Sequence, residues 1–169
     1  MRALLFVAAI AFVAFPTDAF AQEPPELPPV DYTQVLSSNL LGVVAKWVNV
    51  EYERKASSSM SAGLSASAFF ISHGDGNMRR ANAFVRFYPQ GAALSGIFIG
   101  IRGGMVWNRP YGGFDDSTPR AGIEIGRTRL FGAKKNIALS TGFGLDRAWY
   151  DGGSVVIPNI RLFNVGIAF

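Results

Sequence analysis

Apolar side chains recur at every second position over most of the chain beyond residue 35. In the segment MSAGLSASAFF, Met60, Leu64 and Phe70 share one face, and serines and a glycine dominate the other. A period of two residues is typical of a β-strand with different surroundings on its two faces. The pattern predicts eight strands, over residues 36–44, 46–54, 60–71, 80–88, 95–107, 119–131, 136–149 and 159–169. The first two have the least defined bounds, because a single candidate hairpin, Gly42 to Lys46, separates them.

Eight strands of about ten residues each are typical of a small transmembrane barrel. We therefore predict an all-β fold, an eight-stranded antiparallel up-and-down barrel. One face of its strands carries large apolar residues such as Ile97, Ile99 and Ile101, and the other carries Gly, Ser and Ala with a few charges. A soluble lipocalin-like barrel would hide the isoleucines and present Lys, Glu and Thr to water. Small residues instead suit a crowded eight-stranded lumen, so the pattern favours an isoleucine face in contact with lipid.

The first 34 residues divide into two segments that we expect to lie outside the barrel. Met1 and Arg2 form a basic start, residues 3–15 are apolar, and small residues surround Ala21. This is the pattern of a secretory signal peptide, with cleavage predicted after Ala21. The alternative is a membrane anchor, but the apolar run is shorter than the ~20 residues that a spanning helix needs. Residues 22–34 are rich in proline, which predicts a flexible leader before a barrel domain over residues 35–169.

Composition narrows the possible classes of protein. The chain is 49% hydrophobic and only 17% charged, and it contains no cysteine. Disulfide frameworks and thiolate metal sites are therefore excluded. An exported chain without cysteine fits a bacterial envelope better than a small disulfide-stapled secreted domain.

Aromatic residues and loop lengths support a membrane barrel. If both ends of the barrel face the periplasm, the predicted strands carry aromatic residues at both rims. We predict an outer girdle of Trp47, Phe70, Trp107, Trp149 and Tyr150, and an inner girdle of Tyr52, Phe87, Tyr88, Phe131 and Phe169. Such girdles mark the two water–lipid boundaries of transmembrane barrels. The inner connections are short, whereas the outer ones include residues 72–78, 108–118 and 150–158.

The segment RLFNVGIAF continues the alternation to Phe169, where the chain finishes on an aromatic ring. With the signal peptide and the eight alternating strands, this segment resembles the small outer-membrane β-barrel proteins of the OmpA-barrel and OmpX-like kind. The resemblance covers about residues 36–169 and implies insertion into the outer membrane of a Gram-negative bacterium. It also implies that the barrel-assembly machinery reads a C-terminal signal formed by Phe163, Val165, Ile167 and Phe169.

Charged residues on the small-residue face predict a plugged lumen. The predicted lumen ion network consists of Glu51, Glu53, Arg86, Arg102, Glu124 and Asp146. Isolated charges there would each cost several kcal/mol, so we expect them to pair, with Arg102 bonded to Glu124. Paired carboxylates also occur in catalysis, but a set of mixed sign favours a structural plug.

Basic residues are predicted to gather at both rims, and the chain has a net charge of +4. The inner set is Arg54, Lys55, Arg127, Arg129, Lys134 and Lys135, and the outer set is Arg79, Arg80, Arg109, Arg120, Arg147 and Arg161. We expect contacts with outer-membrane lipids and lipopolysaccharide, because arginine binds phosphate well. The alternative is that these charges only mark the ends of the apolar band. An exported chain is not expected to bind nucleic acid.

Catalysis has little support in the sequence. His73 is the one histidine, and it follows Ser72 and precedes Asp75 in a glycine-containing loop. Outer-membrane lipid A-modifying enzymes use such residue types, but neighbours in a loop do not form a triad, because nothing fixes their geometry. The GDGN segment lacks the spaced carboxylates of a calcium loop and is ordinary turn chemistry. We expect no catalytic site, no metal and no cofactor.

The sequence thus predicts an integral outer-membrane barrel with a structural or surface-interaction role, closed to ion flow. Candidate contacts to a surface protein or glycan lie in the longest outer loop, at Tyr111, Phe114, Asp115 and Asp116. Binding residues tend to lie on loops held by a rigid scaffold. A lipid A-modifying enzyme is the second hypothesis, and a soluble periplasmic lipocalin-like binder is the third.

Overall fold

A computed structural model describes residues 32–40, 42, 46–70, 77–108 and 116–169. The predicted signal peptide and most of the predicted leader lie outside these residues. The strands are β1 Gln34–Asn39, β2 Trp47–Lys55, β3 Met60–Phe70, β4 Asn77–Phe87, β5 Gly96–Asn108, β6 Asp116–Phe131, β7 Ile137–Tyr150 and β8 Gly153–Ala168. In the part of the chain that is described, no helix has the length and hydropathy needed to cross a membrane.

The eight strands form one closed antiparallel barrel in which each strand pairs with its neighbours in sequence. β1 also pairs with β8, which closes the barrel, with Val35 opposite Ala168 and Asn39 opposite Asn164. The predicted fold class is therefore confirmed. We call the end of the barrel where β8 finishes the inner end; it carries the connections 56–59, 88–95 and 132–136. The opposite end is the outer end.

The two faces of the strands differ as the alternation predicts. On β5, Ile97, Ile99 and Ile101 face outward and are 42%, 53% and 64% exposed, whereas Phe98 between them is 1% exposed. Large apolar side chains are exposed around the barrel, on β1 through β8. Most buried side chains within the strands are polar or charged. The barrel is thus apolar outside and polar inside, which reverses the arrangement of a soluble protein.

Strand β8 contains an irregularity that the sequence pattern hides. The pairing with β7 shifts between Ser140 and Gly142, because Ser140 lies opposite Asn164 but Gly142 lies opposite Arg161. Two residues of β8, Leu162 and Phe163, are thus accommodated where β7 has one, and both are exposed outward. This is a β-bulge, and it reverses the parity of the strand. Arg161 and Asn164 consequently both face the lumen, where both are buried.

Some predicted strand ends were wrong. β8 begins at Gly153 rather than residue 159, since Tyr150 pairs with Gly153 and only Asp151 and Gly152 form the turn. Gly152 has a φ of 95°, a conformation that glycine adopts readily. The predicted outer loop 150–158 is therefore mostly strand. The sequence contained a signal for this, because an Asp-Gly pair between alternating strands is typical of a tight hairpin. β4 begins at Asn77, three residues earlier than predicted, and the predicted outer loop 72–78 loses its last two residues to that strand.

Two further boundary predictions need correction. β5 extends to Asn108 and β6 begins at Asp116, so both ends of the predicted outer loop 108–118 belong to strands. At the other end of the chain, β1 begins at Gln34, which the prediction placed in the leader, and stops at Asn39 rather than residue 44. The backbone of Gln34 exchanges two hydrogen bonds of 2.9 Å with that of Phe169.

The inner end of the lumen is closed by apolar side chains. Val35, Leu94, Ala138 and Ala168 form a buried cluster, against which Tyr32 and Leu130 pack. The connection 88–95 supplies Leu94, which is 1% exposed. This cluster forms a floor beneath the charged part of the lumen.

Glycines make room for the large side chains of the lumen. The register places three of these glycines opposite a large or charged lumen residue: Gly63 with Phe84, Gly126 with Phe98, and Gly122 with Asp146. A Cβ atom at Gly63 or Gly126 would lie within 2.4 Å of the opposing aromatic ring. The small residues of the inward face therefore set the space into which the rings and charges fit.

Candidate functional site

Arg86 on β4 is the centre of a buried ion network in the lumen. Its Nε donates to Glu124 at 2.7 Å, one terminal nitrogen donates to Glu51 at 2.9 Å, and the other donates to Glu53. The guanidinium carbon lies 4.1 Å from the centre of the Phe84 ring. On β5, the Phe98 ring lies 4.5 Å away. Arg86 is fully buried, and three carboxylates and two ring faces replace its water.

Arg161 on β8 extends this network across the barrel. It forms a two-pronged pair with Glu51 on β2, with N–O distances of 2.9 and 2.8 Å. Its second terminal nitrogen also donates to Glu124 on β6 at 3.3 Å. Paired N–H donors of arginine match a carboxylate in geometry as well as charge. The contacts of Arg86 and Arg161 therefore join four strands through the lumen, and no two of these strands, β2, β4, β6 and β8, are neighbours in the barrel.

Toward the outer end, Arg120 and Asp146 form a second group. Arg120 donates to Asp146 at 2.9 Å, and two of its nitrogens donate to the side-chain oxygen of Asn82 at 2.9 and 2.6 Å. Arg102 lies between the two groups, with its nitrogens 3.7 Å from Glu124 and 3.8 Å from Asp146. These distances are too long for hydrogen bonds. Arg102 therefore attracts both carboxylates through its charge but forms no hydrogen bond with either of them.

Toward the inner end, Glu53 links the ion network to two further hydroxyl groups. It accepts hydrogen bonds from Ser61 and, at 2.7 Å, from the hydroxyl of Tyr88. Tyr88 follows β4, is buried, and stacks at a tilt on Phe98 with 5.7 Å between ring centres. Burial, with the neighbouring carboxylate of Glu53, raises the pKa of Tyr88. The hydroxyl thus keeps its proton and remains a donor.

The structure brings together all members of the predicted lumen ion network. Glu51, Glu53, Arg86, Glu124 and Asp146 are buried in the lumen. The side chain of Arg102 is 7% exposed. The expected pair of Arg102 with Glu124 is present only at 3.7 Å, because Arg86 and Arg161 are the hydrogen-bonded partners of that carboxylate.

Three arginines of the lumen were wrongly predicted to lie on the outer rim. Arg120 and Arg161 are buried inside, and Arg80 is half-buried and lines a lumen cavity. The alternation of the sequence could have placed two of them in the lumen. Arg80 lies an even number of residues from Arg86, and Arg120 lies an even number from Glu124, and both reference residues were predicted to face the lumen. For Arg161 no such signal existed, because the bulge breaks the parity. Arg79 and Arg147 are exposed, and Arg109 lies outside the described residues.

The predicted aromatic girdles are largely on the outward face. The exposed members are Phe70, Trp149 and Tyr150 at the outer end, and Phe87, Phe131 and Phe169 at the inner end. Tyr52 and Trp107 are half-buried on the same face. Two members were wrong: Tyr88 is buried in the lumen, and Trp47 lines the lumen cavity. The strand alternation explains both positions. Trp47 lies an even number of residues from Glu51, and Tyr88 lies an even number from Arg86, so each faces the lumen with that residue.

The other candidate residues have the following positions. Phe163, Val165, Ile167 and Phe169 lie on the outward face of the end of β8, with Val165 half-buried and the other three exposed. Ser72, His73, Asp75, Tyr111, Phe114 and Asp115 lie outside the described residues. Asp116 is the first residue of β6 and lies opposite Asn108. The inner-end cations Arg54, Arg127, Arg129, Lys134 and Lys135 are exposed, and Lys55 is half-buried.

No protein-family model matches the chain, and no curated protein matches it in sequence. Among solved structures, the N-terminal beta-barrel domain of Pseudomonas aeruginosa OprF is similar, with a TM-score of 0.47 and 14% identity, over 80% of this chain and 94% of that chain. The assignment of the fold rests on the strand pairing described above. That pairing confirms the predicted fold class, a closed eight-stranded antiparallel barrel.

Proposed function

We propose that this protein is an integral outer-membrane barrel that serves as a rigid, closed scaffold in the bacterial envelope. The observation that carries the proposal is the reversed polarity of the barrel. Isoleucine, leucine, valine and phenylalanine side chains are exposed on its outer face, whereas most of the side chains buried within its strands are polar or charged. An exterior of this kind is stable only against lipid or detergent, because in water so large an apolar surface would drive aggregation.

The scaffold role follows from how the lumen is filled. The floor at Leu94, the ion network around Arg86 and the group around Arg120 follow one another along the axis. Eight strands enclose an interior only wide enough for side chains. Ion pairs that cross the lumen link opposite walls, so the barrel resists deformation and offers ions no wide aqueous path. We propose a plug rather than a pore.

A surface-interaction role would belong to the connections at the outer end. Residues 71–76 and 109–115 join strands there, and the candidate contacts Tyr111, Phe114 and Asp115 belong to the second of them. A rigid scaffold that presents variable loops is a common arrangement for binding. Replacing both connections with short turns should leave a folded barrel and abolish any adhesion to a surface protein or glycan.

Membrane integration is tested by fractionation and gel mobility. The protein should be recovered in the outer-membrane fraction, remain there after urea extraction, and migrate differently on gels before and after boiling. Two variants extend this test. Ile101→Lys places a charge in the middle of the exposed apolar face and should reduce recovery in the outer-membrane fraction. Arg127→Lys is the control. It also introduces a lysine, but at an exposed position near the inner rim that already carries a positive charge, so recovery should not change. Recovery of the wild-type protein as a soluble periplasmic monomer would contradict the proposal and favour a lipocalin-like binder.

A further inference from the structure

The outer half of the lumen contains a small polar cavity of about 40 Å³. Its charged lining residues are Arg80, Arg102, Arg120, Arg161 and Glu51. A single water needs about 10–15 Å³ of such space, so the cavity has room for roughly three water-sized groups. It is thus large enough for a small ion but too small for a sugar or a lipid headgroup.

The charges around this cavity do not balance. Four guanidinium groups and one carboxylate line it. The carboxylate, Glu51, is already bonded to Arg161 and Arg86. Asp146 lies against Arg120. Among the described residues, the lumen cluster of Arg80, Arg86, Arg102, Arg120 and Arg161 with Glu51, Glu53, Glu124 and Asp146 has five positive groups and four negative ones. The excess positive charge lies at the cavity.

Three N–H donors in the lining are buried with no acceptor within hydrogen-bonding distance among the residues that the structure describes. These are the Nε atoms of Arg80 and Arg102 and the amide nitrogen of Asn164. Asn164 is 1% exposed, and the side chain of Arg102 is 7% exposed. Buried donors without partners each cost on the order of 1–3 kcal/mol, and more when charged, unless a bound group accepts from them.

We propose that this cavity is a binding site for a small monovalent anion of the halide class. One such ion matches the volume, offsets the single excess charge of the lumen cluster, and accepts from Arg80, Arg102 and Asn164 at once. The remaining space suits a water that donates to the side-chain oxygen of Asn164, which is also unpartnered. The site does not depend on the proposed role of the barrel in the envelope.

The first test measures the urea midpoint of unfolding of the detergent-folded protein in chloride and in gluconate at a fixed ionic strength of about 0.15 M. Because an ion that binds only the folded state stabilises it by mass action, chloride should raise the midpoint in a saturable manner. Arg102→Gln should abolish this rise, and Arg147→Gln, the same change on the exposed outer face, should retain it. Equal midpoints in chloride and gluconate, or an undiminished chloride effect in Arg102→Gln, would overturn the proposal.

A second test uses the wild-type protein, so it holds even if Arg102→Gln does not fold. Crystals grown in bromide should give an anomalous peak within hydrogen-bonding distance of Arg80, Arg102 and Asn164. Electron density for water alone, without an anomalous signal, would refute the site. A saturable stabilisation by sulfate that exceeds that of chloride would refute the monovalent assignment.

Discussion

Arg161 and Glu51 meet across the lumen through two N–O contacts of 2.9 and 2.8 Å, although 110 residues separate them in the sequence. Their strands, β8 and β2, are not neighbours, since β1 lies between them. The pair therefore reinforces the closure of the barrel beyond the backbone pairing of β1 with β8. Both side chains are buried, so neither can exchange its partner for bulk water.

Arg161→Met should lower the free energy of unfolding by about 3 kcal/mol, because it leaves Glu51 with fewer compensating donors in a buried position. Urea titration in detergent or lipid vesicles, followed by tryptophan fluorescence, measures the change. Arg147→Met is the control: Arg147 is exposed and donates to Ser154, so its loss should change stability by less than about 0.5 kcal/mol. A double-mutant cycle with Glu51→Gln should give a coupling of at least about 0.5 kcal/mol. A coupling of zero would mean that the contact between Arg161 and Glu51 adds nothing to the stability of the fold.

The structure also ranks two arginines that the sequence treats alike. Arg86 donates hydrogen bonds to three carboxylates, whereas Arg102 has only ion pairs of 3.7 and 3.8 Å. Arg86→Met should therefore destabilise by at least about 3 kcal/mol or prevent folding. Arg102→Met should cost less than about 1 kcal/mol, because the carboxylates near it keep their hydrogen-bonded partners. Equal losses of stability in the same urea titration would show that the net charge of the lumen, rather than hydrogen bonding, determines how much each arginine stabilises the barrel.

The opposition of glycine and aromatic ring gives a third prediction. A Cβ atom at Gly126 would lie 2.4 Å from both the Phe98 ring and the carbonyl oxygen of Thr141, whereas at Gly103 the nearest atom is 3.8 Å away. Gly126→Ala should lower the urea midpoint by an amount equivalent to about 1–3 kcal/mol, because the rigid ring and the backbone both have to move. Gly103→Ala is the control and should be neutral or slightly stabilising. If both variants unfold at the same midpoint, the lumen is less tightly packed than the structure implies.

Most of the fold could be predicted from local alternation because each strand must separate an apolar exterior from a polar lumen at every residue. Glu51, Arg86 and Glu124 could be assigned to the lumen on this basis alone. Arg161 could not, because the bulge at Leu162 and Phe163 makes two consecutive residues face outward, and parity counted back from Phe169 then places Arg161 on the outward face. The pairing of particular charges was also beyond the sequence, since it depends on which strands face each other across the lumen.

The proposed plug predicts the electrical behaviour of the barrel. The wild-type protein in planar bilayers should show no large, steady single-channel conductance, because the buried side chains between Leu94 and Arg120 leave no wide path in the proposed plug. Breaking the network with Arg86→Ala, if the variant folds, should produce brief openings of small amplitude. Arg147→Ala, outside the lumen, should remain silent. Steady conductance of a large amplitude in the wild-type protein would contradict the proposed plug.

The last prediction separates the structural role of Phe169 from its proposed role in assembly. The ring of Phe169 is 53% exposed at the inner end, and its backbone is bonded to that of Gln34. Phe169→Ala keeps the backbone bonds and removes only the ring, so the purified variant should refold in detergent to nearly wild-type stability. In cells, its level in the outer membrane should fall several-fold if the assembly machinery reads the ring, and Phe169→Tyr should restore it. Phe131→Ala is the matched control, because Phe131 is 42% exposed at the same end of the barrel but lies on β6 rather than next to β8. Equal losses from Phe131→Ala and Phe169→Ala would mean that each ring acts only as a lipid-boundary anchor, and the assembly role would then be wrong.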